Sequence, residues 1–97
     1  MYYKNPNIVV RKVEPSYFMV DITKCYNNDV EKMFITDDIG NNIWNVIEDG
    51  DSFDDIYIKF LDLITDEKTD ELLEMIKNDL HEYLLLLIKN DCLEVRG

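Results

Sequence analysis

Acid–base and nucleophilic chemistry has little to work with in this sequence: one histidine, His81, and two cysteines, Cys25 and Cys92, in 97 residues. The cysteines stand far apart and belong to no CxxC or Cys/His spacing, so no zinc or redox site is expected, and free buried thiols are the simpler reading. His81 has no nucleophile or second base in register with it and reads as an exposed or half-packed helix residue. Positive charge is also scarce. Ten basic against twenty-one acidic side chains give a formal charge of −11, which repels phosphate backbones and anionic lipid headgroups, so neither nucleic acid nor membrane is an expected partner. The longest apolar run, residues 83–88, is far short of the ~20 residues of a membrane span. A basic leader with an apolar core is missing from the first residues, which sets the expected location in the cytoplasm.

What is present fits one small unit. A chain of this length buries roughly 60 to 65% of its unfolded surface, enough for one modest core. There is no repeat, low-complexity tract or linker, so residues 1–97 are read as a single domain. Residues 7–13 and 17–23 are rich in β-branched and aromatic side chains and are separated by Pro15-Ser16, which predicts two strands joined by a turn. The turn formers Asn27-Asn28-Asp29 precede a third strand over residues 30–36. In that strand Val30, Lys32, Phe34 and Thr36 share one face, and Glu31, Met33 and Ile35 the other.

Three helices follow. Asp37 or Asp38 can accept the free amides of a first helical turn. That helix runs to about Glu48, with Ile39, Ile43, Val46 and Ile47 as its apolar stripe, the sole tryptophan, Trp44, as a buried anchor, and Gly50 supplying the left-handed conformation at its end. Ser52 opens a second helix as a capping-box relative with Asp55, and Ile56, Phe60, Leu63 and Ile64 form its inward stripe. The third helix spans residues 69–90. Leu73, Ile76, Leu80, Leu84 and Leu87 make its core stripe, with Tyr83 at the margin. Leu72, Met75 and Leu86 form a separate apolar flank near Asp79 and Glu82, which a helix packed on one side does not need. They suit a second contact surface, either a groove, the amino-terminal Tyr2-Tyr3, or a second copy of the chain in a homodimer. Residues 92–95 form a short terminal strand or tuck against the core. The carboxylates have no calcium-loop spacing and read as a solvated face.

The Gly-x-x-Ile-Trp-x-x-Ile-x-Asp-Gly arrangement of residues 40–50, the Ser-capped second helix, Asp79-Leu80 in the third and the ending Asn90-Asp91-Cys92-Leu93, in this order, resemble the PqqD family. These are the small winged-helix-type proteins of pyrroloquinoline quinone biosynthesis, whose wider group comprises the precursor-peptide recognition elements of ribosomally synthesised, modified peptides. The resemblance covers residues 7–95. Thr36-Asp37 stands where the family commonly has Leu-Asn, and Ile39-Gly40 replaces a Thr-x-Gly neighbourhood.

The resemblance implies an α+β, winged-helix-like fold, a three-stranded antiparallel amino-terminal sheet followed by three helices. It also implies a non-enzymatic adaptor, without cofactor or metal, that binds a precursor leader peptide. The leader would add as a strand to Val30, Glu31, Lys32, Met33, Phe34 and Ile35. Its side chains would enter a groove against Leu72, Met75, Ile76, Asp79, Tyr83 and Leu86, with Met33 and Ile35 facing that groove from the strand. The adaptor would present the leader to a maturation enzyme, often of the radical S-adenosylmethionine kind. Two rivals remain. An acyl-carrier-like protein modified at Ser52 is suggested by Gly50-Asp51-Ser52-Phe53, and opposed by strand patterns in the first 36 residues. A winged-helix DNA binder is opposed by the charge of the third helix, where Lys77 and Lys89 face five acidic residues between positions 70 and 82.

Overall fold

The computed structural model describes residues 1–23 and 33–97. Among these residues five strands and three helices occur in the order β1 (Tyr2–Lys4), β2 (Ile8–Val13), β3 (Ser16–Asp21), β4 (Met33–Thr36), α1 (Asp38–Val46), α2 (Phe53–Leu63), α3 (Asp70–Lys89) and β5 (Leu93–Val95). The expected α+β plan holds: β2, β3 and β4 form an antiparallel sheet in that spatial order, and three helices follow. The part of the third strand expected over Val30, Glu31 and Lys32, the turn at residues 27–29 and Cys25 lie outside the described residues.

Pairing of Val13 with Ser16 closes the β2–β3 hairpin over Glu14-Pro15. β3 stops at Asp21, two residues before the expected end. The Asp21 carboxylate accepts from the Thr23 amide at 2.9 Å and from the Thr23 hydroxyl at 2.6 Å, a local turn that competes with the ladder. In the other pair, Phe18 faces Ile35 and Met19 faces Phe34. Residues opposite one another share a face, so Val10, Met19 and Phe34 point toward the helices. Val9, Phe18, Val20, Met33 and Ile35 point away from them.

The first two helices start at their expected caps, and the third starts at a threonine cap. Asp37 accepts from the Gly40 amide, Ser52 and Asp55 form a reciprocal capping box, and Thr69 accepts from the Leu72 amide. The carboxylates of the first turns, Asp38, Asp54, Asp55, Asp70 and Glu71, add favourable charge at the positive ends of the helix dipoles. The end of α1 differs from expectation. The helix stops at Val46 with Ile47 in an extended conformation. Gly50, at φ +93, serves instead the turn after it, where the Asp51 amide bonds the Glu48 carbonyl at 3.0 Å.

The core joins Met19 of the sheet to Ile43, Trp44 and Ile47, to Ile56 and Phe60, and to Ile76, Leu80, Leu84 and Leu87, with Cys92 and Leu93 closing its end. Trp44 is buried, as a core anchor should be, and Leu73 at the start of the α3 stripe is half-buried. Two stripe residues depart from expectation. Ile39 is 61% exposed and Leu63 50% exposed; both sit at the end of a helix that overhangs a cavity rather than the core.

Strand β1 was not expected. It pairs with β5 and is bonded on its other side as well: the Tyr2 amide to the Asp51 carbonyl at 2.7 Å, the Gly50 amide to the Tyr2 carbonyl at 2.8 Å, and the Lys4 amide to Asp49 Oδ1 at 2.8 Å. Tyr2 and Tyr3 are thereby committed to this ribbon.

Candidate functional site

Where α1 begins, α2 ends and the first half of α3 passes, the helices leave an open cavity of about 500 Å³. Leu72, Ile76, Asp79, Leu80 and Tyr83 line it from α3, Ile39, Gly40, Asn42 and Ile43 from α1, and Phe60 and Leu63 from α2, with Asp37, Ile64 and Asp66 at the helix ends. Its walls are largely aliphatic and its charged groups are three carboxylates. At 100° per residue, Leu72, Ile76, Asp79 and Tyr83 fall within one narrow arc of α3. The helix thus presents two apolar surfaces, one to the core and one to this opening.

The corner between the cavity and the sheet is built by Tyr83. Its hydroxyl lies 2.9 Å from Thr36 Oγ1, and its ring stands 6.0 Å from that of Phe34, so α3 is held against the end of β4. Gly40 permits this approach: a Cβ there would collide with Thr36 Oγ1 and lie 2.5 Å from the Tyr83 hydroxyl. Burial pushes the Tyr83 phenol up to about 12, against the opposing effect of the Thr36 hydrogen bond, and the nearby Asp37 carboxylate raises it further. Tyr83 is therefore a neutral hydrogen-bonding post at ordinary pH.

Of the residues expected at a site, Leu72, Ile76, Asp79 and Tyr83 line the cavity, and Phe34 adjoins it through Tyr83. Met75 and Leu86, 61% and 46% exposed, lie further round α3 and do not line it. Met33 and Ile35 do not face the groove from the strand. The ladder register fixes Phe34 on the helix side, so its neighbours take the other face of the sheet. There Met33 joins Val9, Arg11, Val13, Phe18, Val20 and Ile22 around a second hollow of about 370 Å³. Val30, Glu31 and Lys32 lie outside the described residues. Ile39, Ile43, Phe60, Leu63, Ile64 and Leu80, expected as core, and Asp37, expected as a cap, also line the cavity.

Other candidates have structural work. Ser52 Oγ accepts from the Asp55 amide at 3.2 Å, which places it in a helix cap. His81 is exposed and stands edge-on to Phe53 with centroids 5.8 Å apart. Cys92 is a buried free thiol, pushed up to about 11 chiefly by burial. Among the described residues no group of three or more His, Cys, Asp or Glu side chains is placed to hold a metal ion, and no helix is long and apolar enough to cross a membrane.

The class defined by these features is an α+β fold with a three-stranded antiparallel sheet, three capped helices and an apolar cavity at the sheet's end. A solved structure of TbiB1 in complex with the TbiA(beta) leader peptide has the same fold. The TM-score is 0.65 at 16% identity, over 97% of this chain and 96% of that one. No family model and no curated protein matches the sequence.

Proposed function

We propose that the protein is a non-enzymatic adaptor that captures the leader of a ribosomally made precursor peptide and presents it to a maturation enzyme, in the manner of the PqqD-type recognition elements. The observation that carries this reading is the position of the cavity beside the end strand of a sheet. Among the described residues β4 is paired on one side only, and its last residue, Thr36, is bonded to Tyr83 in the cavity wall. An extended peptide that adds to β4 satisfies its own backbone groups and those of the edge. Running past Thr36, it delivers side chains to Leu72, Ile76 and Tyr83. The shared fold with TbiB1, whose structure holds a leader peptide, supports the same reading.

On this reading Phe34 and Ile35 supply backbone, Leu72, Ile76, Asp79 and Tyr83 supply the pocket, and Ile39 and Leu63 join them as contacts. Met75 and Leu86 would be reached only by a longer peptide that spreads over the outer flank of α3. The protein works as one domain in the cytoplasm, where precursor peptides are made. The enzyme served is a maturase, of the radical S-adenosylmethionine kind or another. A homodimer formed across the β4 edge would compete with the leader.

The test is titration into the full chain of the leader from any short precursor-peptide gene found beside this one. Leu63→Glu is the decisive variant, because Leu63 is half exposed and its replacement spares the core. It is expected to weaken binding by more than ~1 kcal/mol, since a charge must then be buried without a partner. Unchanged affinity with an intact fold by circular dichroism removes the cavity from the site.

A further inference from the structure

The walls of the cavity say more about its occupant than that it is apolar. Among the fourteen residues that line it there is no lysine, arginine or histidine, while Asp37, Asp66 and Asp79 stand around an aliphatic floor. Asp37 uses Oδ1 to hold the Gly40 amide at 2.9 Å. Asp66 and Asp79 are exposed and make no hydrogen bond or ion pair among the described residues.

Among the described residues, no lysine near these elements is ion-paired to Asp66 or Asp79. Lys59 is 2.6 Å from Asp51 and the Lys77 ammonium lies 5.9 Å from the centre of the Tyr57 ring; Lys68 stands at the rim, where it bonds the carbonyl of the lining residue Ile64 at 3.0 Å rather than a carboxylate. The apolar floor calls for an occupant; the carboxylates bear on which occupant.

We propose that the cavity takes a peptide segment carrying a lysine or arginine next to an apolar side chain, and discriminates against acidic segments. The inference rests on the peptide-binding reading above and adds to it the chemistry of the ligand. The apolar side chain fills the floor between Leu72, Ile76 and Leu63. The methylenes of the neighbouring lysine or arginine lie along the aliphatic wall while the charged head reaches Asp66 or Asp79. A carboxylate in the same place meets like charge on the rim of a chain that is already −11, which costs affinity and slows encounter.

A displayed random-peptide library selected on the full chain tests this, with parallel selections on Leu63→Glu and on the double variant Asp66→Asn, Asp79→Asn. Asp37 is left alone because it caps α1. Peptides that are retained by the wild type and lost on Leu63→Glu define groove binders. The proposal expects these to be enriched in lysine or arginine within a residue or two of an apolar side chain. It also expects their affinity to fall roughly threefold to tenfold on the double variant, with a similar loss in wild type when salt is raised. Groove binders that are neutral or acidic, or indifferent to the double variant, overturn the charge preference and leave the peptide-binding reading standing. If no peptide depends on Leu63, the peptide-binding reading itself fails and takes the proposal with it.

Discussion

Strands β1 and β4 differ in how their edges are finished. β1 is bonded on both sides, to β5 on one and to the turn at Asp49, Gly50 and Asp51 on the other. β4 has β3 on one side and, among the described residues, no strand on the other. An exposed edge is a hazard that folded proteins usually blunt. Among the described residues, then, β1 is a clamp bonded on both sides and β4 has an unpaired edge, the one to which the proposed function assigns the peptide.

The largest effect that can break this comparison is on the clamp. Leu93 is 3% exposed at the start of β5, and Leu93→Ala should cost about 2–5 kcal/mol in urea unfolding. Peptide affinity of the folded fraction should not change. A variant that loses peptide binding without loss of stability would show that the two strands are not functionally distinct.

A proline pair sharpens the comparison next. Alternate amides along an edge strand point outward, so of Phe34→Pro and Ile35→Pro one removes a bond to β3 and the other an amide free to receive a peptide. The first should lose about 1 kcal/mol or more of stability. The second should fold with little loss and fail to bind peptide. If both retain binding, strand addition at β4 is wrong.

Alkaline titration reads both regions at once, because Cys92 closes the ribbon end of the core and Tyr83 braces the β4 end. Each group holds its proton in the folded state beyond its ordinary value, the thiol from 9 up to about 11 and the phenol from 10 up to about 12. The unfolded chain therefore loses these protons first. Their contribution to stability is whole below pH 9 and 10 respectively and disappears as pH rises through the folded values. Cys92→Ala should remove the lower part of the decline and Tyr83→Phe the upper part. At neutral pH Tyr83→Phe should cost about 1 kcal/mol for the lost Thr36 bond.

The smallest effect is expected on the outer flank of α3. Met75→Glu, at a side chain 61% exposed, should leave stability within ~0.5 kcal/mol and weaken peptide binding less than Leu63→Glu does. A larger loss for Met75→Glu would move the contact surface from the cavity to the flank.

The hairpin, the caps of α1 and α2 and the core stripe of α3 were legible because their causes are local: turn residues, side chains within three positions of an amide, and a 3.6-residue period. β1 was not, because Tyr2-Tyr3-Lys4 has no alternation and its partners lie some 45 to 90 positions away. The cavity was half legible. Leu72 follows from the second apolar flank read on α3, with Asp79 beside it, and Ile76 and Tyr83 from the core stripe and its margin, but Ile39 and Leu63 fit the period of their own helices. A period reads an inward-pointing residue the same way whether the space it meets is filled or empty. The facing of Met33 and Ile35 was misjudged for a different reason. Their alternation was read correctly, but which face meets the helices depends on pairing with Met19, which the strand alone does not contain.

Trp44 makes the two regions separately observable. Its indole is 7% exposed and carries the Lys4 ammonium of β1 4.7 Å from its ring centre, while its neighbour Ile43 lines the cavity. As the only tryptophan in the chain, it is a single emitter placed on the clamp side. Loosening the ribbon should red-shift its fluorescence, and filling the cavity should leave the emission in place. One cuvette can therefore tell a protein that has lost its grip on its own first strand from one that has taken up a peptide.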